Sequence, residues 1–379
     1  KRTLFPYTTL FRSLALYNPG SDDFHFHTHD PMDAGSLASN AILSIFEDKE
    51  GALWVGTEDY GVDYFQPDHD YFTTITVSSR QSPTLPDPAC RAVAVDKNGH
   101  YWIGTYKGLS QYNPITDAFS NYLLTKEENP DANNSVRSLL VDDEGIVWVG
   151  TGGGLYRLNP ETKKEIPFTE KDSMPIVYIS QIIQDRNKNI WITTPRGLFI
   201  YNRETRTFGY GFTTKETSQY RTGYFSNIYE DRAGHIWLCM PRKGVIVYNP
   251  QNGHIREYAF SFLHPQMQAN DFITSISEDL DGQIWLSSLS GLISLNPDSN
   301  ITRQYVESDG LPSNKVSGVL VDSLNRIWIG TGKGLCMLEA DKHTFHSFDA
   351  HDGLPTNYFY EGNAYKMPDG TFAYPTYNG

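Results

Sequence analysis

The chain has 379 residues, with 31 Lys+Arg against 45 Asp+Glu and a net charge of −14. Aromatic residues make up 13% and charged residues only 20%, which marks a globular chain rather than a disordered one. The acidic balance speaks against a nucleic-acid partner, and no run of about 18 apolar residues occurs that could cross a membrane as a helix.

Residues 1–13 begin basic but lack the apolar core and small-residue cleavage site of a signal peptide. They fit no repeat position, resemble a translated sequencing adapter, and read as a non-native leader. Two short strands follow, Leu14 to Tyr17 and Phe24 to Thr28. On the second, His25, His27 and His29 alternate along one face, and imidazoles on a straight strand do not converge on one ion. An edge strand made unattractive for pairing is the simpler reading, so no metal and no cofactor is assigned.

From there the chain repeats. Its seven tryptophans, Trp54, Trp102, Trp148, Trp191, Trp237, Trp285 and Trp328, are spaced by 43 to 48 residues. An Asp precedes each by six residues: Asp48, Asp96, Asp142, Asp185, Asp231, Asp279 and Asp322. Three residues before each Trp stands Gly or Asn, which reads as a D-x-x-G hairpin with a left-handed residue. Lys188 breaks the pattern, and Asn187 or Asn189 is expected to take the turn conformation there. Each Asp stands alone in its unit, so it reads as a cap of its hairpin turn and not as part of a calcium site. A second glycine follows each Trp by six or seven residues.

Between these marks lie apolar or alternating runs of four to six residues, such as Val136 to Val141 and Leu155 to Leu158. Such runs are strands, and no sustained helical period appears. Four strands per unit of about 46 residues, in tandem, predict an all-β propeller of four-stranded blades. A blade cannot cover both of its faces alone, so each Trp is expected to fill the gap to the next blade. Cys90, Cys239 and Cys336 lie far apart and read as buried free thiols.

Tyr358 to Lys366 and Thr371 to Tyr374 look like the first two strands of a degenerate unit, with Phe372 in the place of Trp. Joined to the two strands after residue 13, they make one composite blade and a ring of eight. If the chain is cut from a longer array, a seven-bladed ring with a leftover blade results. The whole propeller is expected to span residues 14–379.

The repeat N-x-V-x-x-ϕ-x-x-D-x-x-G-x-ϕ-W-ϕ-G-T-x-x-G-L-x-x-Y-N-P resembles the two-component regulator propeller repeat. The segments Asp309-Gly310-Leu311-Pro312-Ser313-Asn314 and Asp352-Gly353-Leu354-Pro355-Thr356-Asn357 resemble that family's inter-blade linker. The resemblance implies the periplasmic sensor region of a Bacteroides-type hybrid histidine kinase, with two propellers, and homodimeric in the full-length sensor. It further implies an oligosaccharide signal, with the kinase and the membrane-spanning parts outside this chain. The chain itself is then no enzyme.

Propeller ligands bind at the channel mouth, which the loops between second and third strands line. Here those loops carry Tyr60, Tyr106, Lys107, Arg196, Arg242, Lys243 and Lys333, a local excess of basic charge. With Tyr220 and Tyr224 as further flat surfaces, these are the expected contacts of an oligosaccharide, anionic or sulfated. No G-x-S-x-G, H-E-x-x-H, P-loop or dinucleotide fingerprint is present. A propeller lyase or hydrolase acting on polysaccharide and a protein-interaction scaffold are the alternative readings.

Overall fold

The computed structural model describes residues 4–5, 14–18, 23–31, 36–47, 53–58, 60–65, 72–77, 83–124, 134–168, 178–214, 217–241, 243–259, 273–360 and 364–378. Strands β1 (Leu4–Phe5), β2 (Leu14–Asn18) and β3 (Asp23–His27) form one three-stranded antiparallel sheet with β3 at its edge. Strands β4 (Ile42–Glu47), β5 (Leu53–Thr57) and β6 (Val62–Phe65) form a second.

Six four-stranded antiparallel sheets follow, each with its strands in chain order. The first holds β7 (Cys90–Val95), β8 (Tyr101–Thr105), β9 (Gly108–Asn113) and β10 (Ala118–Tyr122). The second holds β11 (Val136–Val141), β12 (Val147–Thr151), β13 (Leu155–Asn159) and β14 (Lys164–Glu165), and the third β15 (Gln181–Gln184), β16 (Ile190–Thr194), β17 (Gly197–Asn202) and β18 (Thr207–Tyr210). The fourth is β19 (Asn227–Glu230), β20 (Ile236–Met240), β21 (Gly244–Tyr248) and β22 (Ile255–Ala259). The fifth is β23 (Ile273–Glu278), β24 (Ile284–Ser288), β25 (Gly291–Leu295) and β26 (Thr302–Tyr305). The sixth is β27 (Val316–Val321), β28 (Ile327–Thr331), β29 (Gly334–Leu338) and β30 (Phe345–Phe348), and a last pair, β31 (Tyr365–Lys366) and β32 (Phe372–Ala373), ends the chain. Apart from Asn134, helical structure among the described residues is confined to the 3-10 turns Ser218–Tyr220, Glu307–Asp309 and Ala350–Asp352. The fold is an all-β propeller.

Five of the tryptophans are buried between neighbouring blades, whereas Trp328 is half-buried and Trp54, 43% exposed, fills no such gap. Trp237 packs with Ile273, Ile276, Ile284 and Leu286 of the next blade, and Trp285 with Val316, Val319, Ile327 and Ile329. Trp102, Trp148, Trp191, Trp237 and Trp285 are 0–2% exposed. Burying an indole of that size is worth on the order of 2–3 kcal/mol at each joint. Cys90, Cys239 and Cys336 are buried free thiols, and burial raises Cys90 and Cys336 to about 12.

Each described Asp of the repeat does more than cap its turn. In the fourth blade Asp231 Oδ1 accepts from His235 N (2.8 Å), while Oδ2 accepts from Trp237 Nε1 (2.9 Å). The same double bond recurs at Asp96, Asp142, Asp185, Asp279 and Asp322, with Trp Nε1 at 2.7–3.0 Å. Asp48 lies outside the described residues. At the exceptional turn Lys188 itself takes the left-handed conformation, φ +67°, and neither neighbouring asparagine replaces it. Asn189 is held otherwise: its backbone and side-chain amides both donate to the Asp185 carboxylate, each at 2.8 Å.

The chain ends do not pair as the composite-blade expectation has it. Among the described residues β2 pairs with β1 and β3, and β31 pairs with β32 alone. The C-terminal segment instead bridges the first, second and sixth blades. Cys90 N donates to Thr376 O (3.0 Å), Tyr365 Oη to Leu139 O (2.6 Å) and Tyr374 Oη to Trp328 O (2.9 Å). Residues 72–77 supply the partner from the other side: Phe72 packs beside Phe348 and Phe359, and Ile75 and Val77 pack beside Cys90 and Ile103. The sequence marks of the repeat fail here because residues 72–77 carry neither the Trp nor the glycines.

Candidate functional site

The first strand of each blade touches the first strand of the next, from β7 through β11, β15, β19 and β23 to β27, so these strands surround the ring axis. The loops between second and third strands sit beside the starts of these inner strands. Tyr106 N donates to Ala89 O, Gly152 N to Ser135 O and Gly332 N to Lys315 O. Each loop is shaped by the hydroxyl that opens it. Thr105 Oγ1 donates to Gly108 O (3.0 Å) and accepts from Lys107 N (3.2 Å), and Thr151, Thr194, Ser288 and Thr331 do the same in their blades. The G-T half of the motif therefore builds a tight loop on the face that carries the channel mouth.

On this face the expected site residues separate. Tyr106 stands partly exposed beside the inner-strand Arg91, and Tyr224 is 44% exposed. Lys107 is tied to Asp87 (3.1 Å) and Lys333 to Glu307 (3.7 Å), both carboxylates from the connections between blades, so the basic excess of the loops is partly neutralised. Arg196 is exposed, its backbone N held by Thr194 Oγ1. Tyr220 offers no open ring face: it is 8% exposed and its hydroxyl donates to Glu257, which with burial raises it to about 12. Lys243 and Tyr220 line a cavity of ≈ 260 Å³ with Glu257 and Tyr258. Tyr60 is 71% exposed on the β5–β6 loop, in the second three-stranded sheet. Arg242 lies outside the described residues.

The residues that the sequence reading missed stand eleven positions before each Trp, on or beside the inner strands: Arg91, Arg137, Ser180, Ser226, Thr274 and Ser317. Arg91 is only 5% exposed, with its guanidinium 3.4 Å from the Tyr106 ring centre and 4.8 Å from that of Tyr360. It donates to Tyr360 Oη (2.8 Å) and to Ser135 Oγ (3.1 Å). Arg137 donates to Tyr178 Oη (2.6 Å) and lies 4.3 Å from that ring centre. Burial, and then the charge of Arg137, push the Arg91 guanidinium below its ordinary value. Burial raises Tyr224, with Tyr178 adding to it and Arg137 opposing. Counting at a fixed offset from the tryptophans, and not only between them, finds all six positions.

Four segments, residues 36–59, 84–107, 130–153 and 310–333, match the model of the two component regulator propeller. These four segments are similar to the repeat of that family. The second and third matched segments contain Arg91, Tyr106 and Lys107, and then Ser135 and Arg137. Among solved structures, the propeller is similar to one described as the extracellular domain of the hybrid two component system BT3049 from B. thetaiotaomicron. The TM-score is 0.74 at 22% identity, over 97% of this chain and 53% of that one. The extracellular domain of BT4673 from the same organism gives a TM-score of 0.64 at 19% identity, over 94% of this chain and 48% of that one. The chain thus spans about half the length of these structures. Virginiamycin B lyase from Staphylococcus aureus shares the fold at a TM-score of 0.58 and 13% identity, over 77% of this chain and 93% of that one. A search of curated proteins finds no match.

Proposed function

We propose that this chain is a ligand-sensing propeller region of a hybrid two-component sensor, working in the periplasm. In this reading it binds an oligosaccharide released from a glycan and passes the signal to a histidine kinase through a change of orientation or of dimer packing. The observation that carries the reading is the set of four segments similar to the two component regulator propeller repeat. Support comes from Tyr106 and Tyr178, each with an inner-strand arginine against its ring, since aromatic faces suit sugar rings as arginine forks suit their polar substituents.

A glycan array on the purified chain, run with a turnover assay on every glycan that binds, tests this. Binding without cleavage is the expected outcome. Release of shortened or unsaturated products means a propeller enzyme, and binding to no glycan at all means that the signal is not a saccharide.

A further inference from the structure

The inner strands place polar atoms at one register with no hydrogen-bond partner among the described residues. Arg91 Nε, Arg137 Nε, Ser180 Oγ and Ser317 Oγ are all buried and make no hydrogen bond, and all four come from the position eleven residues before a Trp. A buried polar atom left bare costs on the order of 1–3 kcal/mol. Four at the same register mark the space around them as one where a polar ligand would find hydrogen bonds that the described residues do not make.

The charge of that space is unbalanced. Neither Arg91 nor Arg137 enters an ion pair with Asp or Glu among the described residues, whereas Lys107 and Lys333 at its rim already have carboxylates. The two guanidiniums are bonded instead to neutral hydroxyls, of Tyr360, Ser135 and Tyr178. Those bonds fix each fork while leaving its Nε N–H free. Two like charges at equivalent positions of neighbouring inner strands, one of them in a site 5% exposed, are a costly arrangement that a bound anion relieves. Tyr106 lies against Arg91 and Tyr178 against Arg137, and Tyr106 and Tyr224 are 39% and 44% exposed.

We infer that Arg91 and Arg137, at the mouth of the axial channel, form a receptor for an anionic group, a carboxylate or a sulfate, carried on a saccharide whose ring lies against Tyr106 and Tyr224. The sugar part of this assignment rests on the saccharide-sensing reading, and the anion part stands on the arginines alone. Glu361 occupies the same offset from Phe372 and lies outside the described residues, so its variant belongs in the test.

The experiment is calorimetric titration of the full chain with three oligomers of equal length: a galacturonate, a sulfated galactan and a neutral galactan. Inorganic sulfate and sodium chloride at matched ionic strength serve as the small-ion arm. The variants are Arg137→Gln, which is half-buried and expected to fold, Arg91→Gln, and Glu361→Gln. One acidic oligomer should bind roughly tenfold or more tighter than the neutral one, a factor that Arg137→Gln removes while sparing neutral-sugar binding. Which of the two acidic oligomers is preferred separates carboxylate from sulfate. Equal binding of acidic and neutral oligomers overturns the anion site and leaves the saccharide sensor standing, as does an acidic preference unchanged in Arg137→Gln. If no oligomer binds, the saccharide reading fails, and inorganic sulfate then decides. A melting temperature raised by sulfate but not chloride, in the parent and not in Arg137→Gln, supports the receptor, and no such shift overturns it. An acidic oligomer that binds only to Glu361→Gln shows that the arginines are already neutralised from within, which also overturns it.

Discussion

At the scale of the residue, the repeat is organised by one carboxylate. The Asp that opens each hairpin accepts from the turn backbone with one oxygen and from the indole N–H with the other, so it closes the turn and aims the side chain that joins blades. Replacing Asp231 by Ala leaves Trp237 Nε1 and His235 N without acceptors in a site 6% exposed. The expected loss is about 3 kcal/mol in urea unfolding, against about 1 kcal/mol for an exposed carboxylate such as Asp298→Ala. An equal cost for both would show that the indole bond contributes nothing. A neighbouring carboxylate makes a pH prediction. Hydrogen bonds from Gln184 and Lys188, with Arg203 beside them, hold Asp143 well below its ordinary value of 3.8. A depressed carboxylate contributes stability that is complete above its unfolded value and is lost as pH falls through the folded one. The parent should therefore lose urea resistance more steeply than Asp143→Asn below pH about 4, and the two curves should converge in acid; parallel curves refute the assignment. The Asp–Trp spacing was plain in the sequence, because a bond between fixed positions leaves a fixed offset. Its meaning was only half legible, since turn capping explains the Asp without any reference to the Trp. Arg91 and Arg137 left no such mark: two arginines among six equivalent positions look like scatter until the inner strands are seen to converge.

At the scale of the element, the blade is a meander whose third strand starts under the end of the fourth. That is why a glycine opens it. A Cβ on Gly291 (φ +133°) would meet Tyr305 O at 2.6 Å, and one on Gly334 (φ +108°) would run into Phe348 O. Gly154 holds the same place in the second blade, where β14 is only two residues long, and a Cβ there meets nothing within 4 Å. Gly291→Ala should thus cost about 2–4 kcal/mol and Gly154→Ala about 1 kcal/mol, measured as urea midpoints. Similar costs would mean that backbone conformation alone, and not the fourth strand, selects the glycine. The sequence shows both glycines identically, because the motif records the turn and not what passes over it. The same limit explains Lys188. Its left-handed conformation is imposed by the Asp185 hairpin, and its amine is compensated by Asp143 at 2.9 Å in the preceding blade, a partner only the ring supplies.

At the scale of the whole molecule, a ring of stacked blades is only as stable as its last joint, because an open array leaves two blade faces bare. Here the joint is made by residues 364–378 with help from residues 72–77, which is why counting tryptophans could propose a ring but could not say how it closes. Tyr365 fastens the segment to the second blade and Tyr374 fastens it to the sixth, each by one hydroxyl donated to a backbone carbonyl. Burial raises both phenols, Tyr365 to about 12, so both remain donors throughout the neutral range. Tyr365→Phe and Tyr374→Phe should each cost about 1 kcal/mol, the worth of one buried hydrogen bond. Deleting residues 359–379 should cost far more than both together, since it also uncovers Trp328, Leu335 and Leu354. The deletion should turn one cooperative transition into a broad one with a smaller dependence on urea, while the two phenol variants keep the parent's slope. A deletion variant that melts at the parent temperature, with the parent slope, would mean that the six complete blades hold their curvature without a closing joint.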